Sequence, residues 1–292
     1  MRAAFPGSLV GNDSGGDPAC IPDMTWEMLK NYHDLYYHPS NCAAYLYGQF
    51  EDYAAFLALL DGYFSAYERR EFTRTDANYT PIAEPVEQTL PFPVEQGSGT
   101  DHAAMVYYVF VCPGLNQDPR EELVLNTLTG LLIDDASGLQ QGLKAALPYG
   151  TFYSYIEEDA PESAIVFIAD SVNAGDARTF RQIVDESLAE VAENGFPQDQ
   201  VDGVMASMTI DTLLVREQSG VGVEGVIPDL AGSYAATGDP WSYVDYIEAL
   251  DSMDDWNRQG LYAQAVSDWL LDSRTTALVA TYPQPGLKEE ND

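Results

Sequence analysis

Histidine is the scarcest useful residue in this chain: 292 residues contain only His33, His38 and His102. Protein-bound zinc relies on imidazole and thiolate donors, and a paired imidazole site on a helix needs an i, i+4 spacing. His33 and His38 are five apart and flank a helix end, so they share no face, and neither HExxH nor HxxEH occurs. Cysteine is equally sparse. Cys20, Cys42 and Cys112 form no CxxC pair, which argues against a disulfide scaffold and a zinc ribbon and for reduced, small apolar residues. Positive charge is also short, with 13 basic residues against 47 acidic ones and a net charge of −34. Such a field repels nucleic acid and anionic membranes and favours cationic ligands. The acids are scattered through periodic segments, so most of them read as a solvated surface. No apolar run approaches the roughly 20 residues that cross a bilayer, and Met1-Arg2-Ala3-Ala4-Phe5-Pro6-Gly7 lacks the apolar core of a signal peptide. The expectation is a cytoplasmic protein with no nucleic-acid and no membrane partner.

Other chemistries fare no better. Ser8 and Ser14 lie outside any G-x-S-x-G elbow, and the glycines from Gly220 to Gly225 lack the GK[ST] ending of a P-loop. The carboxylate pairs Asp134-Asp135 and Glu157-Glu158 are what a chain this acidic contains in any case, and they read as solvated faces or helix ends. Ser14-Gly15-Gly16-Asp17-Pro18 is explained as a turn and helix cap. No residue is therefore assigned a catalytic, cofactor-binding or metal-binding role.

What is present is a core. With 46% hydrophobic and 12% aromatic residues, the chain has enough apolar surface to fold. Thr25 caps a helix bearing Trp26, Leu29, Tyr32, His33 and Tyr36, which His38-Pro39 stops. Cys42 to Tyr47 reads as a buried strand, and Glu51 to Tyr67 as a second helix. One strand without a ladder partner and two amphipathic helices without a sheet make an incomplete domain. Phe72 to Gly99, with Pro81, Pro85, Pro91 and Pro93, reads as an extended linker with room for an edge strand. Beyond it the spacing predicts a strand over Ala103–Val111 and helices over Pro119–Ile133 and Leu139–Leu147. A hairpin of Thr151–Glu157 and Ser163–Ala169 follows, turning at Asp159-Ala160-Pro161. Helices are then expected over Ala177–Glu193, Pro197–Glu217, Trp241–Leu250 and Asp254–Leu271, with a glycine-rich loop over Gly220–Gly232 and a last strand over Thr276–Tyr282. This is an α+β pattern, with helices packed on one face of mixed or antiparallel sheets. The expected partition is a truncated first domain (1–71), a linker (72–99), a second domain (100–284) and a tail (285–292).

An ordered series recurs. Gly16-Asp17-Pro18, the Trp26 helix, a break at Ser40-Asn41 and the segment Cys42–Tyr47 come back as Gly238-Asp239-Pro240, a Trp256 helix, a break at Ser273-Arg274 and the strand Thr275–Ala280.

Phe5-Pro6-Gly7-Ser8, Asn12 to Pro18, Ile21-Pro22-Asp23-Met24-Thr25, Tyr36-Tyr37-His38-Pro39-Ser40-Asn41 and Tyr45-Leu46-Tyr47-Gly48 follow one another in order. That series resembles the end of the catalytic domain in the presequence-protease and falcilysin branch of the pitrilysin family of zinc peptidases. The rest resembles that family's next domain more loosely, through Leu214-Val215-Arg216-Glu217 and Gly238-Asp239-Pro240. The resemblance implies pitrilysin-type metallohydrolase-like domains within an endopeptidase that encloses peptides in a chamber. It also implies an HxxEH motif and a further glutamate ligand, both upstream of the matched region, so no catalytic residue is carried over. On that reading the chain is a non-catalytic central segment that supports the catalytic domain and lines the chamber, with no cofactor of its own and zinc in the intact parent. Its partners would be the N-terminal catalytic segment, the C-terminal half, and unfolded or basic peptides. Self-association through the incomplete segment is a further expectation. The rival readings are an inactive subunit of a two-chain peptidase and a stand-alone peptide-binding module.

Overall fold

The computed structural model describes residues 1–292 apart from 13, 14, 17, 47, 73–78, 116–118, 158–161, 219–225, 242–249, 251, 252, 254, 273, 274 and 292. The chain divides into two units: Met1–Gly11 with Ala77–Leu213 and Asp245–Asp292, and Asn12–Asp76 with Leu214–Val244.

The first unit carries a five-stranded sheet of order β1-β5-β2-β4-β3, built from β1 (Val86–Val94), β2 (Ala104–Cys112), β3 (Thr151–Glu157), β4 (Ser163–Val172) and β5 (Thr276–Pro285). Only β1 and β5 run parallel; β2, β4 and β3 pair antiparallel, as does β2 with β5. β4 is the least ambiguous strand, because Ser163 to Ala169 is buried throughout, as a strand covered on both faces must be. Alternation then separates two cores. Val106, Tyr108, Phe110 and Cys112 on β2, with Ile165, Phe167 and Ala169 on β4, join a helical layer. That layer comprises α3 (Pro119–Ile133), α4 (Gly138–Ala146), α5 (Ala177–Asn194) and α6 (Gln198–Gln218), together with α8 (Leu261–Ala265) and the π turn Val266–Leu271. Ser137 Oγ accepts from Gln140 N–H to cap α4, and Gly195, at φ 70°, closes α5 with its N–H on Val191 O. Helices on one face of the sheet match the reading of the sequence.

The opposite face holds the second core, which among the described residues no α-helix joins. Val109, Val111, Ala164, Val166, Ile168 and Ala277 surround Ala4 and Phe5, which are 1% and 0% exposed. Residues 1–11 thus lie across the sheet. They are tied down by the N–H of Thr80 donating to Pro6 O (3.2 Å), the Phe5–Tyr79 ring contact (5.9 Å) and the Tyr79 hydroxyl donating to Glu162 (2.5 Å).

β1 falls inside the stretch read as a linker with room for an edge strand. Gly286 N–H donates to Val94 O (3.0 Å), so the even-numbered residues of β1 turn their main-chain groups to β5. Pro91 and Pro93 therefore face the open flank, where a missing N–H costs the ladder nothing.

The second unit has no sheet among its described residues. Thr25 Oγ1 accepts from Met28 N–H to cap α1 (Trp26–Tyr36), and Asp52 does the same for α2 (Tyr53–Phe64) through Ala55 N–H. Neither helix buries a residue. Trp26 is 74% exposed, and Leu29, Tyr32, Leu35, Phe56, Leu57 and Tyr63 are also exposed. Each such side chain would contribute about 1.5–3 kcal/mol if fully buried. Here the strand expected over Cys42–Tyr47 needs correction: residues 42–46 form no strand and are exposed or half-buried, because no neighbouring strand offers a ladder, and Tyr47 lies outside the described residues. The loop expected over Gly220–Gly232 is corrected as well. α7 (Val226–Thr237) begins within it, and its apolar Val226, Ile227 and Leu230 outweigh one glycine; 220–225 are not described. α7 ends on Gly238, whose φ of 79° and N–H to Tyr234 O (2.9 Å) make it the left-handed cap. Gly16, its counterpart in the recurring series, takes φ 83°. The helix expected over Trp241–Leu250 and the turn at Asp159-Ala160-Pro161 fall largely outside the described residues.

Candidate functional site

The histidines do not converge. His33 stacks on Tyr37 (4.8 Å) on α1. His38, 6% exposed, packs between Tyr67 (5.4 Å) and Phe72 (5.7 Å), and its Nδ1 accepts from Ser40 N–H (3.1 Å). Burial, and secondarily the Arg70 guanidinium, lower its affinity for a proton. The unfolded chain thus takes up this proton more readily than the folded one. Stability from this knot is present above about pH 6.5 and is lost as the pH falls through the lowered value. The expected outcome is an NMR titration of His38 below that of a free histidine, with the protection of the Ser40 and Asn41 amides, relative to their intrinsic exchange rates, falling as the pH drops below about 6.5.

His102 belongs to the sheet-bearing unit, at φ 52° beside an irregularity in the β2–β4 register. Asn173 Oδ1 accepts from its N–H (3.1 Å), and Asn173 Nδ2 faces both its Nδ1 (3.2 Å) and Asp176 Oδ2 (3.2 Å). Asp176 also accepts from the Tyr149 hydroxyl (3.1 Å), and Tyr149 lies against the His102 ring (3.7 Å). This cluster ties the start of β2 to the N-terminus of α5 and holds no nucleophile. Among the described residues, no three of His, Cys, Asp and Glu could hold a metal ion. Zinc therefore finds no fitting donor set in the described part of this chain.

Cys112 is buried and its thiol is pushed up to about 12, chiefly by desolvation, whereas Cys20 and Cys42 are exposed. Native protein should thus release two equivalents in a thiol titration and the third only on denaturation. Ser8 is 4% exposed and accepts from Val10 N–H, so it serves a turn. Asp134 accepts from Ala136 N–H and Asp135 from Lys144, both at helix ends; Ser14 and Glu158 lie outside the described residues.

The exposed surface with recognition chemistry is the β3 side of the sheet face opposite the helical layer, beside the residues 1–11 that bury its centre. The register aligns Tyr107, Ile168 and Tyr153 in one cross-strand row and Val109, Val166 and Tyr155 in the next. Period-two alternation of tyrosines in β3, Thr151-Phe152-Tyr153-Ser154-Tyr155, is the signal that could have found it. Tyr153 and Tyr155 are each 39% exposed. Burial raises the hydroxyl pKa of Tyr107 and Tyr155, with further contributions from Tyr153 and Asp170 on the first and from Glu157 on the second. Neutral phenols beside carboxylates offer a peptide flat apolar area, hydrogen-bonding ends and negative potential for Lys or Arg. On the helical side, a cavity of about 350 Å³ lies between the start of α4 and the end of α5, with Leu139, Val191 and Phe196 as apolar lining and Glu190 among its polar groups.

The family model described as the peptidase M16 inactive domain matches residues 23–208. Protein HypA of Clostridium perfringens is 22% identical over 99% of this chain, and the chain spans 30% of that protein. The mitochondrial presequence protease of Mus musculus is 28% identical over 68% of the chain, which covers 20% of its length. Among solved structures, an M16-like peptidase from Alicyclobacillus acidocaldarius superposes with a TM-score of 0.70 at 16% identity, covering 97% of this chain and 64% of that one. At that identity the superposition establishes the fold alone.

Proposed function

We propose, from the premise that this chain belongs to the peptidase M16 inactive-domain family, that it serves as a non-catalytic segment of a zinc metalloendopeptidase, supporting the catalytic segment and lining the chamber in which peptides are degraded. The observation that carries the reading is the match of residues 23–208 to the inactive-domain model. The chamber wall in this proposal is the β3 side of the sheet face opposite the helical layer, where Tyr153 and Tyr155 stay exposed beside the residues 1–11 that bury Val109, Val166 and Ile168, and where their rings lie near Glu157 and Asp170. Basic, unfolded peptides are the substrates that such a face favours in a chain of net charge −34. Zinc resides in the catalytic segment, which, with the remaining half of the peptidase, is the partner.

Titration of the purified chain with a fluorescent, lysine-rich unfolded peptide tests this. Binding should weaken with salt, and Tyr153→Ala or Tyr155→Ala should each cost about 1–2 kcal/mol, close to tenfold in Kd. The chain alone should show no chelator-sensitive cleavage of that peptide. Salt-independent binding, or retention of stoichiometric zinc together with cleavage, would overturn the proposal.

A peptide-binding module that works by strand addition is the second reading. β3 supports it, since it pairs with β4 alone in the sheet. Gln140 Nε2 already donates to Phe152 O (3.3 Å), which narrows the usable flank to residues beyond it.

A further inference from the structure

The register of β3 with β4 turns the tyrosine side of the sheet into a graduated strip. Thr151 pairs with Asp170, Tyr153 with Ile168, Tyr155 with Val166 and Glu157 with Ala164, so these four rows share one face. Successive rows are two residues apart, and the first lies about 20 Å from the last at the usual rise of a strand. The two middle rows present exposed phenol rings. Each outer row carries a half-buried carboxylate, Asp170 at one end and Glu157 at the other. Asp170 accepts from the N–H and, at 3.4 Å, from the hydroxyl of Ser171, which fixes its place. It lies within electrostatic reach of Tyr107, as Glu157 does of Tyr155. Glu157 also draws the amino group of Met1, whose Sδ accepts from the Tyr155 hydroxyl (3.8 Å), so this end of the strip suits a cation on an apolar stem. On the β4 side, Val166 and Ile168 are buried with Ala4 and Phe5, which confines an occupant to the β3 rows.

We infer that this strip selects peptides by spacing. Its ligand is an extended segment lying along the face of β3, with basic residues at its first and seventh positions and apolar residues at its third and fifth. An extended chain turns every second side chain to one side, as the sheet does, so those four residues meet the four rows in turn. Lysine or arginine at the ends reaches Asp170 and Glu157 beside phenol rings, where carboxylate and ring face attract the same cation. The two apolar side chains lie on Tyr153 and Tyr155. Moving one basic residue by a single position turns it to the far side of the segment, so the rule fixes phase as well as length. Asp170 and Glu157 thereby determine specificity, while the tyrosines supply affinity to any apolar peptide. This rests on the reading of the chain as a segment that holds peptides, and it adds to that reading which peptides are preferred.

Two fluorescent peptides of identical composition test this on the 292-residue chain by anisotropy. One contains Lys-Ser-Leu-Ser-Leu-Ser-Lys. In the other the last two residues change places, which puts the two lysines on opposite sides of an extended chain. The first should bind about threefold more tightly at low salt, the worth of one partly exposed charge contact. Asp170→Asn and Glu157→Gln, introduced together, should erase that preference while amide exchange in β4 stays as it was, which shows that the sheet is intact. Equal affinity of the unaltered chain for the two peptides would overturn the spacing rule, as would a preference that survives the double substitution. In either case, a loss of affinity for both peptides in Tyr153→Ala leaves the peptide-binding reading standing. Failure of both peptides to bind would remove the rule and that reading together.

Discussion

Replacing Phe5 by alanine is expected to destabilise the sheet-bearing unit by about 3–5 kcal/mol. The ring is fully buried among Val109, Val111, Val166 and Ile168 and lies against Tyr79. Its removal leaves a cavity that the two central strands cannot close without breaking register. Urea unfolding followed by tyrosine fluorescence checks this, with a fall in midpoint at unchanged m-value as the result. A change below about 0.5 kcal/mol, the range of an ordinary surface substitution, would show that residues 1–11 do not pack on the sheet.

The second large effect is a contrast. Trp256→Ala should cost about 3–5 kcal/mol, because the indole is 4% exposed in the helical core and meets Tyr262 at 6.2 Å. Trp26→Ala, at the matching place in the recurring series, should fall within about 0.5 kcal/mol, because that indole is 74% exposed. Both are read from the same denaturation experiment. Equal costs would mean that α1 is buried against something in the chain by itself.

The recurring series also shows where the sequence stops being informative. The helix over Pro119–Ile133 and the strand Thr151–Glu157 come out at the residues expected, since capping, period and turn chemistry are local signals carried by neighbouring side chains. Cys42 to Tyr47 and Thr275 to Ala280 look alike by the same signals, yet only the latter becomes a strand, β5. Strand formation is settled by a partner, and whether β1 and β2 or nothing lies alongside is a long-range fact absent from the hexapeptide. The pairing of β1 with β5, nearly two hundred positions apart, escaped for the same reason. Residues 220–232 were misread in part because glycine content masked the apolar period that begins at Val226. The tyrosine face was legible as alternation in β3, but its row with Tyr107 needed the register of β4 between them.

Pro91 and Pro93 carry a last consequence. With both ring nitrogens turned outward, the β1 rim presents acceptors but is short of donors, so a strand from another molecule cannot complete a regular ladder there. A protein with this much uncovered apolar surface is a candidate for runaway stacking into fibrils. On one side the sheet is sealed against it, and any templated growth has to start from β3.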